Sequence, residues 1–144
     1  MAVCTFFGHH DCPSSVKPKL RDALIDLIEH RSVNQFYVGN HGAFDAMVRS
    51  KLRELGQIYP HISYAVVLAY LPQKRNEFDN RDLSDTMLPE GVETVPRRFA
   101  ISWRNNWMLS QSDYVLTYIT HSWGGAAQFA EKATKIKKKV LNLS

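Results

Sequence analysis

The segment from Arg104 to Glu131 holds the residues of this chain best suited to bind a charged ligand. Arg104 lies on a predicted helix, and the apolar strand that follows ends in the small-residue turn Gly124-Gly125-Ala126. A second predicted helix begins at that turn, so its first backbone N–H groups and the positive end of its dipole are exposed there. Phosphate is the commonest ligand of such a place. The segment therefore predicts a phosphate-binding loop.

Two further loops rich in glycine and polar residues also follow predicted strands. One runs from Gly8 to Cys12, and the other runs from Gly39 to Asp45. In an open parallel sheet, ligands bind outside the carboxyl ends of the strands, at the point where the strand order reverses. We therefore expect the three loops to converge on one site. The candidate ligand-binding residues are Gly8, His9, Gly39, Asn40, Gly42, Asp45, Arg104, Ser122, Trp123, Gly124, Gly125 and Ala126.

Short apolar runs alternate with amphipathic stretches along the chain, which predicts an α/β fold. The predicted strands are Val3 to Phe7, Gln35 to Val38, Ser63 to Leu71, Tyr114 to Ile119 and Val140 to Leu143. The predicted helices are Lys17 to His30, Phe44 to Leu55, Pro96 to Leu109 and Gly125 to Ile136. Between them, Gln73 to Pro89 is polar without a clear period, and we expect a long loop there. The expected architecture is a parallel sheet of about five strands with helices on both faces.

The composition is that of a globular protein with a hydrophobic core. The 144 residues are 44% hydrophobic and 22% charged, and this length suits one domain over residues 1–144. The net charge of +4 owes much to five lysines near the end of the last predicted helix, namely Lys132, Lys135, Lys137, Lys138 and Lys139. Cations at a helix end complement its dipole, so we interpret this cluster first as a solvated helix end.

Neither a membrane nor a secreted location is indicated. No apolar run reaches about 18 residues, and the first residues read as a strand without the charged start of a signal peptide. Cys4 and Cys12 give no disulfide framework, and free thiols fit a reducing compartment. We therefore expect a cytoplasmic protein with no cofactor.

The motifs resemble those of the SLOG superfamily. Gly39-x-x-Gly42-x-x-Asp45, the helical Arg104 and the Gly124-Gly125 turn are similar to its pattern from Thr5 to Leu143. That superfamily includes the Lonely Guy phosphoribohydrolases, DNA processing protein A and nucleotide-sensing domains of anti-phage systems. The resemblance implies a Rossmann-like fold that binds a nucleotide or a derivative such as an ADP-ribose-like signal. It also suggests a homodimer or a larger homo-oligomer.

The match to the Lonely Guy enzymes is incomplete at the residues that support catalysis. Their helix carries an arginine-lysine pair, whereas this chain has Arg104 followed by Asn105. Their glycine turn is followed by two glutamates, whereas this chain has Ala130 at the first position and only Glu131 at the second. The resemblance therefore favours recognition of a nucleotide, for sensing or sequestration, over cleavage.

Two alternatives stay open. The first is a nucleoside 5′-monophosphate phosphoribohydrolase, in which Arg104 clamps the phosphate and Glu131 stabilises the oxocarbenium-like charge of N-glycosidic cleavage. The second is a nucleic-acid-binding module as in DNA processing protein A. Its only support in the sequence is the lysine cluster, so we do not expect nucleic acid as a partner.

Other readings of the polar residues are weaker. Trp123, beside the glycine turn, is the best candidate to stack on a base, whereas we expect Trp107 to fill the core. His9, His10, Cys12 and His121 show no regular metal-ligand spacing, so no metal site is expected. A triad of Ser122, His121 and Asp113 lacks the strand-to-helix elbow of a serine nucleophile.

Overall fold

In this computed structural model, residues 2–70 and 85–144 are described. This part has six strands and four helices. The strands are β1 (Ala2–Gly8), β2 (Val33–Val38), β3 (Ser63–Val67), β4 (Thr86–Met87), β5 (Tyr114–Tyr118) and β6 (Lys139–Asn142). The helices are α1 (Lys17–His30), α2 (Gly42–Ile58), α3 (Arg97–Gln111) and α4 (Gly125–Lys135). Strands and helices alternate along the chain, except that β4 is the next described strand after β3. Short 3-10 turns at Ser14–Val16 and Val92–Thr94 precede α1 and α3.

All six strands pair in parallel, in the order β4-β3-β2-β1-β5-β6. The chain builds outward from β1 through β2 and β3, and then returns to the other side of β1 as β5. The strand order therefore reverses between β1 and β5, which makes their carboxyl ends the expected ligand edge. The prediction of an α/β, Rossmann-like parallel sheet is confirmed.

Two hydrophobic clusters cover the two faces of the sheet, as the alternation along the chain predicts. On one face, α1 and α2 bury large side chains such as Leu24 and Leu52 against Phe36 of β2. On the other face, Met108 of α3 and Phe129 of α4 pack near Phe7 of β1. Helices on both faces are thereby confirmed. No helix in the described part of the chain is long and apolar enough to cross a membrane.

The region around β3 and β4 differs from the sequence prediction. The strand predicted from Ser63 to Leu71 leaves the ladder after Val67, and Leu71 lies outside the described residues. Residues 73–84 of the predicted loop from Gln73 to Pro89 lie outside the described residues, and the described end of that range contains β4, which pairs with the end of β3. A strand of two residues has no alternation to detect, so the sheet has six strands where about five were expected.

Contacts from distant elements hold β4 at the edge of the sheet. Arg49 of α2 donates two hydrogen bonds to the carboxylate of Asp85, at 2.7 and 3.0 Å. The hydroxyl of Tyr64 donates to the same carboxylate at 2.9 Å. Asp85 directly precedes β4, so these bonds fix the register in which Thr86 and Met87 join β3.

Candidate functional site

A cavity of about 520 Å³ opens at the point where the strand order reverses. The ends of β1 and β5, the loop after β2, the middle of α3 and the start of α4 surround it. Its lining residues include Gly8, His9, His10, Asp11, His41, Asp45, Ile101, Arg104, Asn105, Met108, Thr120, His121, Gly124, Gly125 and Ala126. The expected convergence of three loops on one edge therefore occurs around this cavity.

Arg104 is the central charge of the cavity, with only 2% of its surface exposed. Its Nη1 donates to the carbonyl oxygen of Val67 at 2.7 Å and to the side-chain oxygen of Asn40 at 3.2 Å. Its Nε donates to Asn105 at 2.9 Å, and Nη2 lies 3.2 Å from Nδ1 of His41. Four of the five guanidinium N–H groups thus have neutral protein partners.

This arrangement limits how Arg104 can act. A bidentate grip on phosphate needs two free N–H groups, and one remains on Nη2. Among the described residues, no carboxylate lies within ion-pair distance of the guanidinium. Burial lowers the pKa of Arg104, and the Asp45 carboxylate opposes that shift. Arg104 is therefore a fixed positive charge that also joins three segments of the site.

His41 and Asp45 form the neighbouring polar wall. Burial, helped by the charges of Arg104 and His10, lowers the pKa of His41, so its neutral ring accepts from Arg104. Asp45 accepts the backbone N–H of His41 at 3.0 Å, which caps the first turn of α2. Burial raises the pKa of Asp45 to about 6, against the opposing effects of that hydrogen bond and of Arg104.

The predicted glycines near this wall serve close packing. A Cβ atom on Gly39 would lie 2.7 Å from Oδ2 of Asp45 and 3.1 Å from Nη1 of Arg104. A Cβ on Gly8 would lie 2.2 Å from the ring of Phe44. Gly39 is buried beneath the site and does not line the cavity.

Gly42 joins two of the loops. Its φ of +88° is in the left-handed region, and a Cβ there would lie 2.8 Å from Cα of His10. The next N–H, on Ala43, donates to the carbonyl oxygen of His10 at 2.8 Å. Gly42 therefore lets the loop after β1 pack directly on the start of α2.

Three aromatic rings form a continuous stack on the other wall. The rings of His9 and His121 have centroids 3.7 Å apart and are inclined by 13°. The rings of His121 and Trp123 have centroids 3.7 Å apart and are inclined by 15°. Trp123 ends the stack, and 69% of its surface is exposed. The stack therefore presents the indole to solvent beside the cavity.

Backbone contacts hold the inner end of this stack. Nε2 of His9 accepts the N–H of Thr120 at 3.0 Å, which joins the loops after β1 and β5. Burial and the adjacent His121 lower the pKa of His9, so its ring is neutral at pH 7. Nδ1 of His121 is buried and has no hydrogen-bond partner among the described residues.

The start of α4 forms the third wall. Gly124 has φ 96° and ψ 166°, a conformation essentially restricted to glycine. No side chain caps this end, and the first helical bond runs from the N–H of Gln128 to the carbonyl of Gly124. The N–H groups of Gly125 and Ala126 therefore stay available at the edge of the cavity. The structure thus places a glycine turn with free N–H groups at the start of α4, and phosphate binding there stays a prediction.

Five other predicted residues lie outside the cavity lining, namely Asn40, Gly42, Ser122, Trp123 and Glu131. Asn40 contributes through its bond to Arg104, and Ser122 is an exposed loop residue beside Trp123. Glu131 points away: it pairs with Lys135 at 3.1 Å, and 68% of its side chain is exposed. The structure therefore does not bring Glu131 together with Arg104.

Sequence reasoning missed part of the lining. His41 holds Arg104, and His121 bridges His9 and Trp123, but neither was among the predicted site residues. Both residues lie in loops that the sequence predicts at this edge of the sheet. The sequence therefore predicts the loops correctly, although it does not single out these two residues. In the described part of the chain, no three His, Cys, Asp or Glu side chains are grouped as metal ligands would be.

The lysine cluster lies at the opposite edge of the sheet. Lys137, Lys138 and Lys139 line a cleft with Arg31 and Asp113, where β5 and β6 begin. Lys132 contacts the side chain of Asn106. Basic and aromatic residues near the cavity come instead from the start of α3, where the guanidinium of Arg97 lies 3.7 Å from the ring centroid of Tyr70.

Solved structures of DNA processing protein A share this fold. The Streptococcus pneumoniae protein aligns with a TM-score of 0.72 at 11% identity, over 99% of this chain and 50% of that one. The Helicobacter pylori protein aligns with a TM-score of 0.61 at 12% identity, over 98% of this chain and 64% of that one. The chain thus spans half of the first structure and less than two thirds of the second. No family model and no curated protein matches the sequence.

These similarities correct one expectation. The Helicobacter pylori structure is described as giving insight into a single-stranded DNA binding mode. The expectation that nucleic acid is not a partner was therefore wrong, since it rested on the lysine cluster alone and took no account of the aromatic stack. At 11% and 12% identity the likeness concerns the fold: this chain shares a Rossmann-like fold with DNA processing protein A, which is the fold that its resemblance to the SLOG superfamily implies.

Proposed function

We propose that this chain binds single-stranded DNA at the carboxyl edge of its sheet. The observation that carries the proposal is the stack of His9, His121 and Trp123, which ends in an exposed indole. Every base has a π-face, so an exposed ring that is already held in place can stack on bases of any sequence. Bases inside a duplex do not offer that face, and single strands are therefore favoured.

The adjacent wall suits the phosphate that a stacked nucleotide brings with it. The uncapped N–H groups at Gly125 and Ala126 lie at the positive end of the α4 dipole. Arg104 adds a buried positive charge, and no carboxylate among the described residues lies within ion-pair distance of it. An anion in the cavity would compensate the charge that the protein itself leaves unbalanced.

A second set of rings extends the surface on the other side of the cavity. Tyr70 lies between Arg97, at 3.7 Å, and the ring of His41, at 6.4 Å. Phe99, near the start of α3, is 52% exposed. Basic side chains interleaved with aromatic rings are typical of surfaces that bind single strands.

A titration of fluorescein-labelled oligothymidylate tests the proposal. We expect anisotropy to report binding to an oligomer of about 15 nucleotides, a length near the upper site size of other single-strand binders. Replacing Trp123 by Leu should weaken the affinity by about 5- to 150-fold, because one base-aromatic stack contributes about 1–3 kcal/mol. Trp123→Phe keeps an aromatic face and should retain most of the affinity.

Lys137→Ala is the matched control, because this exposed cation lies at the opposite edge of the sheet. We expect it to leave the affinity within a factor of about two, as for other side chains outside an interface. Binding that is unaffected by Trp123→Leu, or that falls equally in Lys137→Ala, would contradict the proposed site.

The size of the cavity supports a second candidate, a free nucleotide or an ADP-ribose-like derivative. A volume of about 520 Å³ falls within the range of small-molecule pockets. Calorimetry with AMP and ADP-ribose tests this candidate. Binding of either one, together with no binding of the oligonucleotide, would favour a small ligand for sensing or sequestration over single-stranded DNA.

A further inference from the structure

The outer edge of β6 is open to a further strand. The backbone N–H groups of Lys139 and Leu143 donate to carbonyl oxygens on the side of β5. Because alternate residues of a strand face the same neighbour, the N–H and C=O groups of Val140 and Asn142 point away from β5. In the described part of the chain, the sheet has no strand beyond β6. The backbone groups of Val140 and Asn142 are therefore available to an extended partner.

Two clefts adjoin along this edge. An apolar cleft of about 370 Å³ lies between α1 and the strands β5 and β6, and it is lined by Leu27 and by Leu141, which is 52% exposed. A second cleft of about 460 Å³ lies at the amino ends of β5 and β6, beside the end of α4. The residues that line both clefts are Arg31, Tyr114 and Lys139. The two clefts thus form one surface, the edge groove, which is apolar at one end and basic at the other.

Cations without a counter-charge lie at the basic end of the edge groove. These cations are the side chains of Lys137, Lys138 and Lys139. Among the described residues, no carboxylate lies within ion-pair distance of their ammonium groups. The carboxylates that line the groove have other partners: Asp26 lies 3.7 Å from Arg31, and Asp113 accepts the backbone N–H of Val3 at 3.0 Å. The groove therefore presents a positive charge that an acidic partner would balance.

We propose that the edge groove binds an extended acidic peptide of another protein, which adds a strand to β6. Lys139 and Leu141 are two residues apart, so their side chains lie on the same face of the strand. A strand paired with β6 would place an apolar side chain beside Leu141 and an acidic side chain beside Lys139. A second acidic side chain, two residues further along, would lie towards Lys137. Backbone hydrogen bonds to Val140 and Asn142 supply affinity, and the alternate side chains supply selectivity.

The groove suits an acidic peptide better than other occupants. A second copy of this chain would bring further lysines to the edge, because β6 has one lysine and no acidic residue. Lysine on an edge strand is a common protection against such pairing. A nucleic acid would place phosphates beside the lysines, but it would leave Leu27 and Leu141 without an apolar partner. Tyr114, the aromatic ring of the groove, already has a cationic partner, because the ammonium of Lys139 lies 5.1 Å from its centroid.

The peptide and the DNA would occupy different edges of the sheet. The edge groove follows the outer side of β6 and the amino ends of β5 and β6, whereas the cavity opens at the carboxyl ends of β1 and β5. Peptide binding is therefore independent of the proposed DNA site, and each can fail without the other.

Fluorescence anisotropy of a labelled synthetic peptide tests the proposal. The probe is fluorescein-TDTDTLTDTDT, in which the aspartates and the leucine alternate with threonine and so share one face of a strand. Its side chains read the same in both directions, so the probe fits either strand direction. We expect saturable binding at protein concentrations up to about 500 micromolar. A peptide with lysine in place of every aspartate, and a peptide with serine in place of the leucine, should both bind more weakly.

Lys139→Glu should weaken peptide binding by about 3- to 10-fold, because it replaces an attraction with a repulsion at an exposed side chain. Leu141→Asp should also weaken it, since the apolar contact is lost and a like charge is added. Lys19→Glu is the matched control: it makes the same charge change on an exposed lysine in the first turn of α1, outside the groove. We expect it to change the affinity by less than about two-fold. Equal losses in Lys139→Glu and Lys19→Glu would show attraction by net charge alone and would overturn the proposal.

Amide hydrogen exchange gives a second readout, which a folding defect would not imitate. The N–H groups of Val140 and Asn142 should become protected when the peptide is added. The N–H of Leu143, which bonds on the side of β5, should be protected with and without the peptide.

Three results would refute the acidic peptide as the occupant. The first is a wild type that does not bind the probe. The second is displacement of the probe by oligothymidylate, which would assign the groove to nucleic acid. The third is protection of Val140 that rises with protein concentration in the absence of peptide, which would place a second copy of the chain on this edge.

Discussion

Nη1 of Arg104 donates a hydrogen bond of 2.7 Å to the carbonyl oxygen of Val67, the last residue of β3. This bond joins the middle of α3 to the carboxyl edge of the sheet. The same guanidinium also bonds to Asn40 and approaches His41 in the loop after β2. A single buried cation thus holds the walls of the cavity together.

Replacing Arg104 by Lys should destabilise the fold although the charge is kept. One ammonium cannot reach acceptors on several sides, so the buried carbonyl of Val67 would be left without a donor and the bond to Asn40 would be lost. We expect the free energy of unfolding in urea to fall by about 2–4 kcal/mol. Arg31→Lys, at an exposed side chain, should change it by less than about 0.5 kcal/mol. Equal stabilities of the two variants would contradict this role of Arg104.

Gly39→Ala should also be destabilising, because the new Cβ would meet Asp45 at 2.7 Å and Arg104 at 3.1 Å. We expect a loss of about 1–3 kcal/mol in the free energy of unfolding. Adding Asp45→Ala removes one of the two contacts, so the double variant should lose less than the sum of the single losses. Gly125→Ala is the control, since a Cβ there meets nothing within 4 Å. Strict additivity in the double variant would contradict the packing argument.

The raised pKa of Asp45 predicts a pH dependence of stability. Its pKa is about 6 in the folded chain against a model value of 3.8, so the folded state holds the proton more tightly. The contribution of this group to stability is therefore present below pH 4 and is lost as the pH rises towards 6. The expected loss is about 2–3 kcal/mol.

Asp45→Asn isolates this effect, because its side chain cannot ionise. His9 and His41 have lowered pKa values, so their protonation destabilises the fold as the pH falls below about 6.5 and acts in the opposite direction. Urea unfolding of the wild type and of Asp45→Asn is measured at pH 4 and pH 7. The difference between the two proteins cancels the histidine contribution, because both contain His9 and His41. The free energy of unfolding of Asp45→Asn, minus that of the wild type, should be larger at pH 7 than at pH 4. A difference between the two proteins that does not change with pH would refute the shifted pKa.

Lys137→Gly should stabilise the chain. Lys137 has a φ of 65° directly after α4, and the N–H of Lys138 closes the helix on the carbonyl of Ala133 at 3.0 Å. Glycine is the residue favoured at this left-handed position. We expect thermal unfolding to show a gain of about 0.5–1 kcal/mol. Lys138→Gly, next to it and without a positive φ, should give no gain, and equal gains in both would count against the explanation.

The sequence predicts the order of the larger elements but not the edge of the sheet at β4. Apolar runs such as Val3 to Phe7, and amphipathic spacing as in α1, record burial directly along the chain. Thr86 and Met87 are too few to show a period. Their place depends on Asp85, which Arg49 and Tyr64 hold from distant elements.

The sequence predicts which loops form the site, but it does not predict the contacts between their side chains. Arg104 and the Gly124 turn stand out by residue type, and the structure brings both to the cavity. The carbonyl that Arg104 binds is set by the place where β3 ends. The apolar run continues beyond Val67, so the sequence does not mark that end. The stack of His9 on His121 joins loops far apart in the chain, so no local spacing reveals it. The lysine cluster suggested a nucleic-acid site by its charge alone, but the fold places it at the edge of the sheet opposite the cavity.

Intrinsic fluorescence of a protein with Trp123 as its sole tryptophan tests the central claim most directly. The Trp103→Phe and Trp107→Phe substitutions replace the two half-buried indoles and leave the exposed one. Adding oligothymidylate should quench the emission in step with the anisotropy of labelled DNA, because bases stack on the indole face. DNA binding that leaves the emission of Trp123 unchanged would contradict the account.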